Sequence, residues 1–86
     1  MFKIKVTLLF FAKSRELSGV NSSQISVTTQ CSFSQLLETI LQQYPSLSII
    51  SENIILSVNE EYISRDGAVN IQEGDEIAVI PPISGG

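Results

Sequence analysis

The sequence predicts an α+β domain of two layers, with one main helix covering one face of a mixed sheet of about five strands. Three patterns carry that expectation. Residues 2–11 alternate, with Phe2, Ile4, Val6, Leu8 and Phe10 on one side and Lys3, Lys5, Thr7, Leu9 and Phe11 on the other. That period of two is the signature of a strand with one face in a core. Ser32, followed three residues later by Gln35, opens a run in which Phe33, Leu36, Leu37, Ile40, Leu41 and Tyr44 recur at helical spacing. Finally, Ile77-Ala78-Val79-Ile80 is almost continuously apolar, as in a strand at the centre of a sheet.

The remaining elements follow in order. Residues 13–18 suit a helical turn that Gly19 stops, and residues 23–28 alternate again, forming an antiparallel hairpin with the first strand. The main helix is placed at 33–44, because Pro45 bars its continuation. Cys31, just ahead of the cap, is placed to staple against Leu36. Residues 46–51 are a loop or a turn of helix. A third strand covers 54–58, Asn59-Glu60-Glu61 makes a turn, and 62–64 is a short fourth strand. Asp66-Gly67 and Glu73-Gly74-Asp75 are further turn signals before the last strand at 76–80. The sheet face away from the helix lacks a cover of its own, so Leu9 and Phe11 either form an exposed patch or lie under loops.

Composition narrows the function. Eighty-six residues, 43% apolar and 16% charged, support one globular domain but are too few for an enclosed substrate cleft. A net charge of −4 argues against nucleic acid and against an anionic membrane surface, and favours a basic protein partner. No apolar stretch reaches a membrane-spanning length. The first twelve residues read as a strand rather than a signal peptide, since Lys5 and Thr7 interrupt them. The single cysteine excludes an internal disulfide and fits a reducing cytosol. There is no histidine, which removes the commonest general base and metal ligand. Chemistry is left to carboxylates, one thiol or the chain terminus, and no metal or cofactor site is expected.

The terminus is the informative part. Residues 1–80 read as the domain and 81–86 as an extended tail: Pro81, Pro82, Ile83, Ser84, Gly85 and Gly86. The prolines donate no N–H, so they end the sheet ladder and start an extended segment that reaches about 20 Å. Two glycines without Cβ atoms let the backbone thread a narrow channel. The Gly86 α-carboxyl, with a pKa of about 3.5, is ionised and a poor electrophile until activated. Adenylation by ATP would activate it. No Walker A loop or dinucleotide fingerprint is present in the sequence, so a separate enzyme would do so.

The order of elements is similar to the β-grasp fold of ubiquitin and its sulfur-carrier relatives. More narrowly, Phe10-Phe11-Ala12-Lys13-Ser14-Arg15-Glu16 and Gly74-Asp75-Glu76 leading to Pro81-Pro82-Ile83-Ser84-Gly85-Gly86 resemble the small, sulfur-carrying subunits of molybdopterin synthases. The likeness covers essentially the whole chain, and Ile83-Ser84 is closer to the eukaryotic form. It implies that Gly86 is adenylated by a ubiquitin-activating-type enzyme and then thiocarboxylated. It also implies that Pro81 to Gly85, with Phe11 on the sheet face, engage a large catalytic subunit in a heterotetramer of two small and two large subunits. The sulfur would pass to cyclic pyranopterin monophosphate, forming the dithiolene. This chain would be a non-catalytic donor with no activity alone, binding no cofactor, while ATP is used by the activating enzyme.

Three alternatives remain open at this level: a sulfur carrier for thiamine synthesis or tRNA thiolation, a ubiquitin-like modifier of lysines, and an interaction domain whose tail is inert. Glu60-Glu61 and Asp75-Glu76 are adjacent carboxylates, but strand neighbours point to opposite faces, so they read as turn and edge charges. Asp66, Glu73 and Asp75 are too loosely spaced for a calcium loop. Lys13 and Arg15 read as solvated charges available to an acidic partner patch.

Overall fold

The structure is a computed structural model that describes residues 3–81. Strand β1, Lys3–Phe10, is followed by the short helix α1, Lys13–Ser18, and by β2, Ser22–Thr28. Then come β3, Gln30–Ser32, the main helix α2, Phe33–Gln43, and a 3-10 segment, Pro45–Asn53. The chain closes with β4, Ile55–Val58, β5, Glu61–Tyr62, β6, Ala68–Asn70, and β7, Glu76–Ile80. Five of the strands form one sheet in the order β2-β1-β7-β4-β5. The β1–β7 pair is parallel and the other three are antiparallel. The apolar strand at 76–80 therefore does lie at the centre.

Along Lys3–Phe10 the sheet's inner face follows the expected alternation, and Phe2 lies outside the described residues. Val6, Leu8 and Phe10 are buried beside Ile25 and Val27 of β2, Leu56 of β4, and Ile77 and Val79 of β7. Helix α2 covers them with Phe33, Leu36 and Ile40, and Phe10 meets Tyr44 edge-on at 5.0 Å between ring centroids. Each such side chain contributes about 1.5–3 kcal/mol by leaving water. The helix starts where the capping box places it: Gln35 N–H donates to Ser32 Oγ at 3.1 Å, and Ser32 N–H donates to Gln35 Oε1 at 2.9 Å. It ends at Gln43, one residue short of expectation, with Tyr44 as its cap before Pro45. Helix α1 ends as the sequence implies, on Gly19 at φ +82°, a conformation that costs glycine no Cβ clash.

Two features depart from the expected layout. Strands β3 and β6 form a separate two-stranded sheet, with Cys31 opposite Val69, where the sequence showed a helix approach and a loop. Three-residue strands leave no readable period, and partners nearly forty residues apart leave no local signal. Cys31 is thereby a strand residue; it is buried in the same core cluster as Leu36, so its expected apolar environment stands. The expected strand at 62–64 is Glu61–Tyr62, because the preceding turn closes at Asn59-Glu60, with both residues at positive φ, as a two-residue hairpin requires.

Candidate functional site

The geometry of interest lies where β7 ends. Its last rungs pair Ile80 with Ile55 on one side and Val79 with Phe10 on the other, and Pro81, half-buried, follows directly. The chain beyond residue 80 thus starts from the middle of the sheet rather than from an edge. On the neighbouring strand β1 runs out into Phe11, which is 47% exposed. The backbone then turns sharply at Ala12, with φ 51° and ψ −123°, a region that non-glycine residues rarely occupy. Ser14, in the first turn of α1, is completely buried. Its Oγ accepts from Phe11 N–H at 2.9 Å, and lies 2.7 Å from the Phe11 carbonyl oxygen and 2.9 Å from that of Val79.

No described helix is placed on the sheet face opposite α2, where Ile55 and Tyr62 are exposed, Leu9, Ala78 and Ile80 half-buried, and Ser57 buried. Alternation on the five strands brings Ser22, Leu9, Ala78, Ser57 and Tyr62 into one row across the sheet. The Ile80–Ile55 pair lies beside that row on the same face. Ile55 is 37% exposed and Tyr62 76%. At the opposite end the same face turns polar, with Lys3 and Lys5 on β1 exposed and Glu76 opposite Thr7. An apolar area rimmed by charge on one side is the usual form of a protein-docking surface. Ile55 and Tyr62 were not singled out from the sequence. Their signal is the alternation of 54–58 and the two-residue turn, which becomes readable only when the register to β7 is known.

The other reactive side chains do not converge. Cys31 is interior, and burial pushes its thiol up from the ordinary value, with a hydrogen bond involving Thr28 opposing this weakly. A raised thiol is a poor nucleophile at neutral pH. Asp75 is held below the usual carboxylate range by the Gln72 N–H and by the Asn59 side chain, and Asp66 by Ser64 Oγ–H. These carboxylates brace turns. Among the described residues no three His, Cys, Asp or Glu side chains are placed to hold a metal ion, and no helix is long and apolar enough to cross a membrane. A recess of about 500 Å³ between β2 and α2 is lined by Lys5, Gln24, Ser26, Thr39, Gln42 and Gln43; it gathers no acid–base pair. Of the residues the sequence nominated, Phe11 is exposed just past the end of β1 and Pro81 follows the end of β7. Pro82, Ile83, Ser84, Gly85 and Gly86 lie outside the described residues.

This architecture, one helix held in the curl of a mixed sheet with parallel terminal strands, defines a ubiquitin-like β-grasp domain. The chain belongs to the ThiS family, whose match spans residues 8–86 and so includes the run from Pro81 to Gly86. It is 48% identical over 86 residues to the molybdopterin synthase sulfur carrier subunit of Anopheles gambiae, covering 96% of this chain and 93% of that one. The subunit of the same name from Homo sapiens is 46% identical over 83 residues, covering 95% and 94%. Among solved structures, small archaeal modifier protein 1 from Methanosarcina acetivorans superposes with a TM-score of 0.79 at 22% identity, over all of both chains. A complex of subunits 1 and 2 of molybdopterin-converting factor from Helicobacter pylori matches with a TM-score of 0.66 at 22% identity, covering 96% of this chain and 100% of that one.

Proposed function

We propose that this chain is the sulfur carrier subunit of a molybdopterin synthase, with residues 1–80 as the presenting domain and 81–86 as the working tail. The observation that carries the reading is the placement of β7. It is the central strand, and it delivers Pro81 beside the sheet face that carries Ile55 and Tyr62. Partner docking and tail delivery then share one end of the molecule. Relatives above 45% identity along nearly the whole chain bear the corresponding name, and the interior Cys31 leaves the Gly86 carboxyl as the group available for activation.

The chemistry follows from the carboxylate. Gly86 attacks the α-phosphorus of ATP on a ubiquitin-activating-type enzyme, releasing pyrophosphate and leaving an acyl adenylate. A sulfide equivalent displaces AMP and gives the thiocarboxylate. Phe11, Ile55 and Tyr62 then dock on the large subunit, whose active site receives Pro81 to Gly86 in a complex of two small and two large chains. The thiocarboxylate sulfur displaces an oxygen substituent from a carbon of cyclic pyranopterin monophosphate. Water then cleaves the bond between sulfur and the Gly86 acyl group and returns the carboxylate, and a second charged chain repeats this at the adjacent carbon to complete the dithiolene. The large subunit supplies acid–base and anion-binding groups, in the cytosol, and this chain is inactive alone.

Intact mass after incubation with activating enzyme, ATP and a sulfur donor tests the first half. A gain equal to exchanging one oxygen for sulfur supports a carrier, whereas a ladder of lysine conjugates identifies a modifier. Mixing the thiocarboxylated chain with a large synthase subunit and the pterin precursor tests the second half. Complex formation without dithiolene product rejects the assignment in favour of thiamine or tRNA thiolation.

A further inference from the structure

Ser14 occupies a place where a rung of the sheet is due. In the parallel β1–β7 ladder, Thr7 N–H donates to the Asp75 carbonyl at 3.0 Å. A parallel pair repeats this pattern every second residue. With Leu8 opposite Ile77 and Phe10 opposite Val79, the register brings Phe11 N–H to the Val79 carbonyl four residues further on. That rung is not made directly. Phe11 N–H donates instead to Ser14 Oγ at 2.9 Å, and the same oxygen lies 2.9 Å from the Val79 carbonyl oxygen.

The hydroxyl has a single proton to give, and two carbonyls are within its reach. The Phe11 carbonyl already accepts the Ser14 backbone N–H at 3.0 Å. The Val79 carbonyl has lost its expected donor and is buried with its residue. Although the Phe11 carbonyl is closer, at 2.7 Å against 2.9 Å, the proton therefore satisfies more by going to Val79. The side chain therefore accepts from β1 and donates to β7, as an inserted water would. It holds the two strands on the order of 2 Å further apart than a direct rung. Beyond this point β1 leaves through the unusual backbone of Ala12, and β7 has only Ile80 before Pro81.

We propose that Ser14 is a positioning residue for the carboxyl-terminal tail. Its spliced rung locks the exposed Phe11 and the last turns of β7 into one rigid unit. Docking through the sheet face then fixes the point and direction from which the tail sets out. Without the hydroxyl, Phe11 and Val79 either close on each other or lose their partners, and in both cases the tail root moves relative to the face. The role of the tail rests on the sulfur-carrier reading, whereas the rung itself does not.

Two measurements test this. In the free wild-type chain, NMR should show a slowly exchanging Ser14 hydroxyl proton with a cross-peak to the Phe11 amide; its rapid exchange with water would overturn the rung. In the second, Ser14→Ala is compared with Ile40→Val, a core change on α2 that lowers stability away from the tail. With thiocarboxylated chain, pterin precursor and saturating large subunit, Ser14→Ala should reduce turnover about tenfold while its affinity for the large subunit changes less than threefold. Ile40→Val should keep wild-type turnover. If wild type makes dithiolene and Ser14→Ala turns over like Ile40→Val, the role given to Ser14 is wrong. If wild type itself makes none, the sulfur-carrier reading falls first.

Discussion

Asn59 and Glu76 exchange two hydrogen bonds: Asn59 N–H donates to the Glu76 carbonyl at 2.8 Å, and Glu76 N–H donates to Asn59 Oδ1 at 3.0 Å. The pair joins the β4–β5 turn to the first residue of β7, so the strand that leads to the tail is anchored at its start as well as at its end. Asn59 stands at φ 50° and Glu60 at φ 73°. Asparagine tolerates that region and glutamate does so less readily. Asn59→Ala should lower unfolding stability by about 1–3 kcal/mol, through the lost bond and the strained backbone. Glu60→Gly should raise it by about 0.5–1 kcal/mol, since relieved strain exceeds the added chain entropy. Urea unfolding of the two variants checks both signs, and the same sign for both would refute the turn argument.

Asp75 predicts an acid dependence. Its carboxylate accepts from Gln72 N–H at 2.8 Å and is further supported by the Asn59 side chain, so its pKa is lower folded than unfolded. A depressed carboxylate adds stability above the unfolded value of about 3.9, and that contribution is lost as pH falls through the folded value. Asp75→Asn should be less stable than wild type at neutral pH, with the difference shrinking as the solution is acidified. Urea midpoints at neutral and acid pH measure the gap; a constant gap would show that the ionised form is not what the turn holds.

Cys31 should behave as a core residue. Burial raises its thiol pKa, and both the thiolate fraction and reagent access fall together. A thiol reagent at neutral pH should label the folded chain at least tenfold more slowly than the chain in urea. Sulfur loading by the activating enzyme should be unaffected by Cys31→Ala. Loss of loading in that variant would move the chemistry from the terminus to the thiol.

The face and the tail should separate in mutants. Phe11→Ala and Tyr62→Ala remove exposed aromatic surface, and each should weaken large-subunit binding about tenfold with little change in unfolding midpoint. Gly85→Val should leave binding through the face and the fold intact, while lowering sulfur transfer by on the order of a hundredfold. Titration calorimetry and single-turnover transfer distinguish the two effects. Equal losses in both assays for all three variants would argue against two separable regions.

Much of this was legible along the chain because its causes are local. The capping pair Ser32 and Gln35, the apolar stripe from Phe33 to Tyr44 and the stop at Pro45 act within a few residues of each other. The helix therefore forms one residue from where its pattern ends. The strand at Lys3–Phe10 is similar, since its alternation already sorts Val6, Leu8 and Phe10 from Lys3 and Lys5. Strands β3 and β6 were not legible. Gln30–Ser32 and Ala68–Asn70 are too short to show a period, and each is a strand only because the other is beside it. Ser14 was equally hidden: a serine after Lys13 reads as a solvated helix residue until β7 is set against β1.

The sequence alone determined the class of fold, the helix and its caps, the apolar last strand, and the Pro81 to Gly86 run with its family resemblance. All of these depend on residue types and short spacings, which a linear chain displays directly. Tertiary structure decided what joins what. Only the strand order sets Leu9, Ile55 and Tyr62 on one face, and only the parallel register places Ser14 Oγ between Phe11 and Val79. The links from β1 and Ser14 to β4 and β7 join residues some 40 to 70 positions apart, and the chain entropy spent in closing such loops leaves no trace in local pattern.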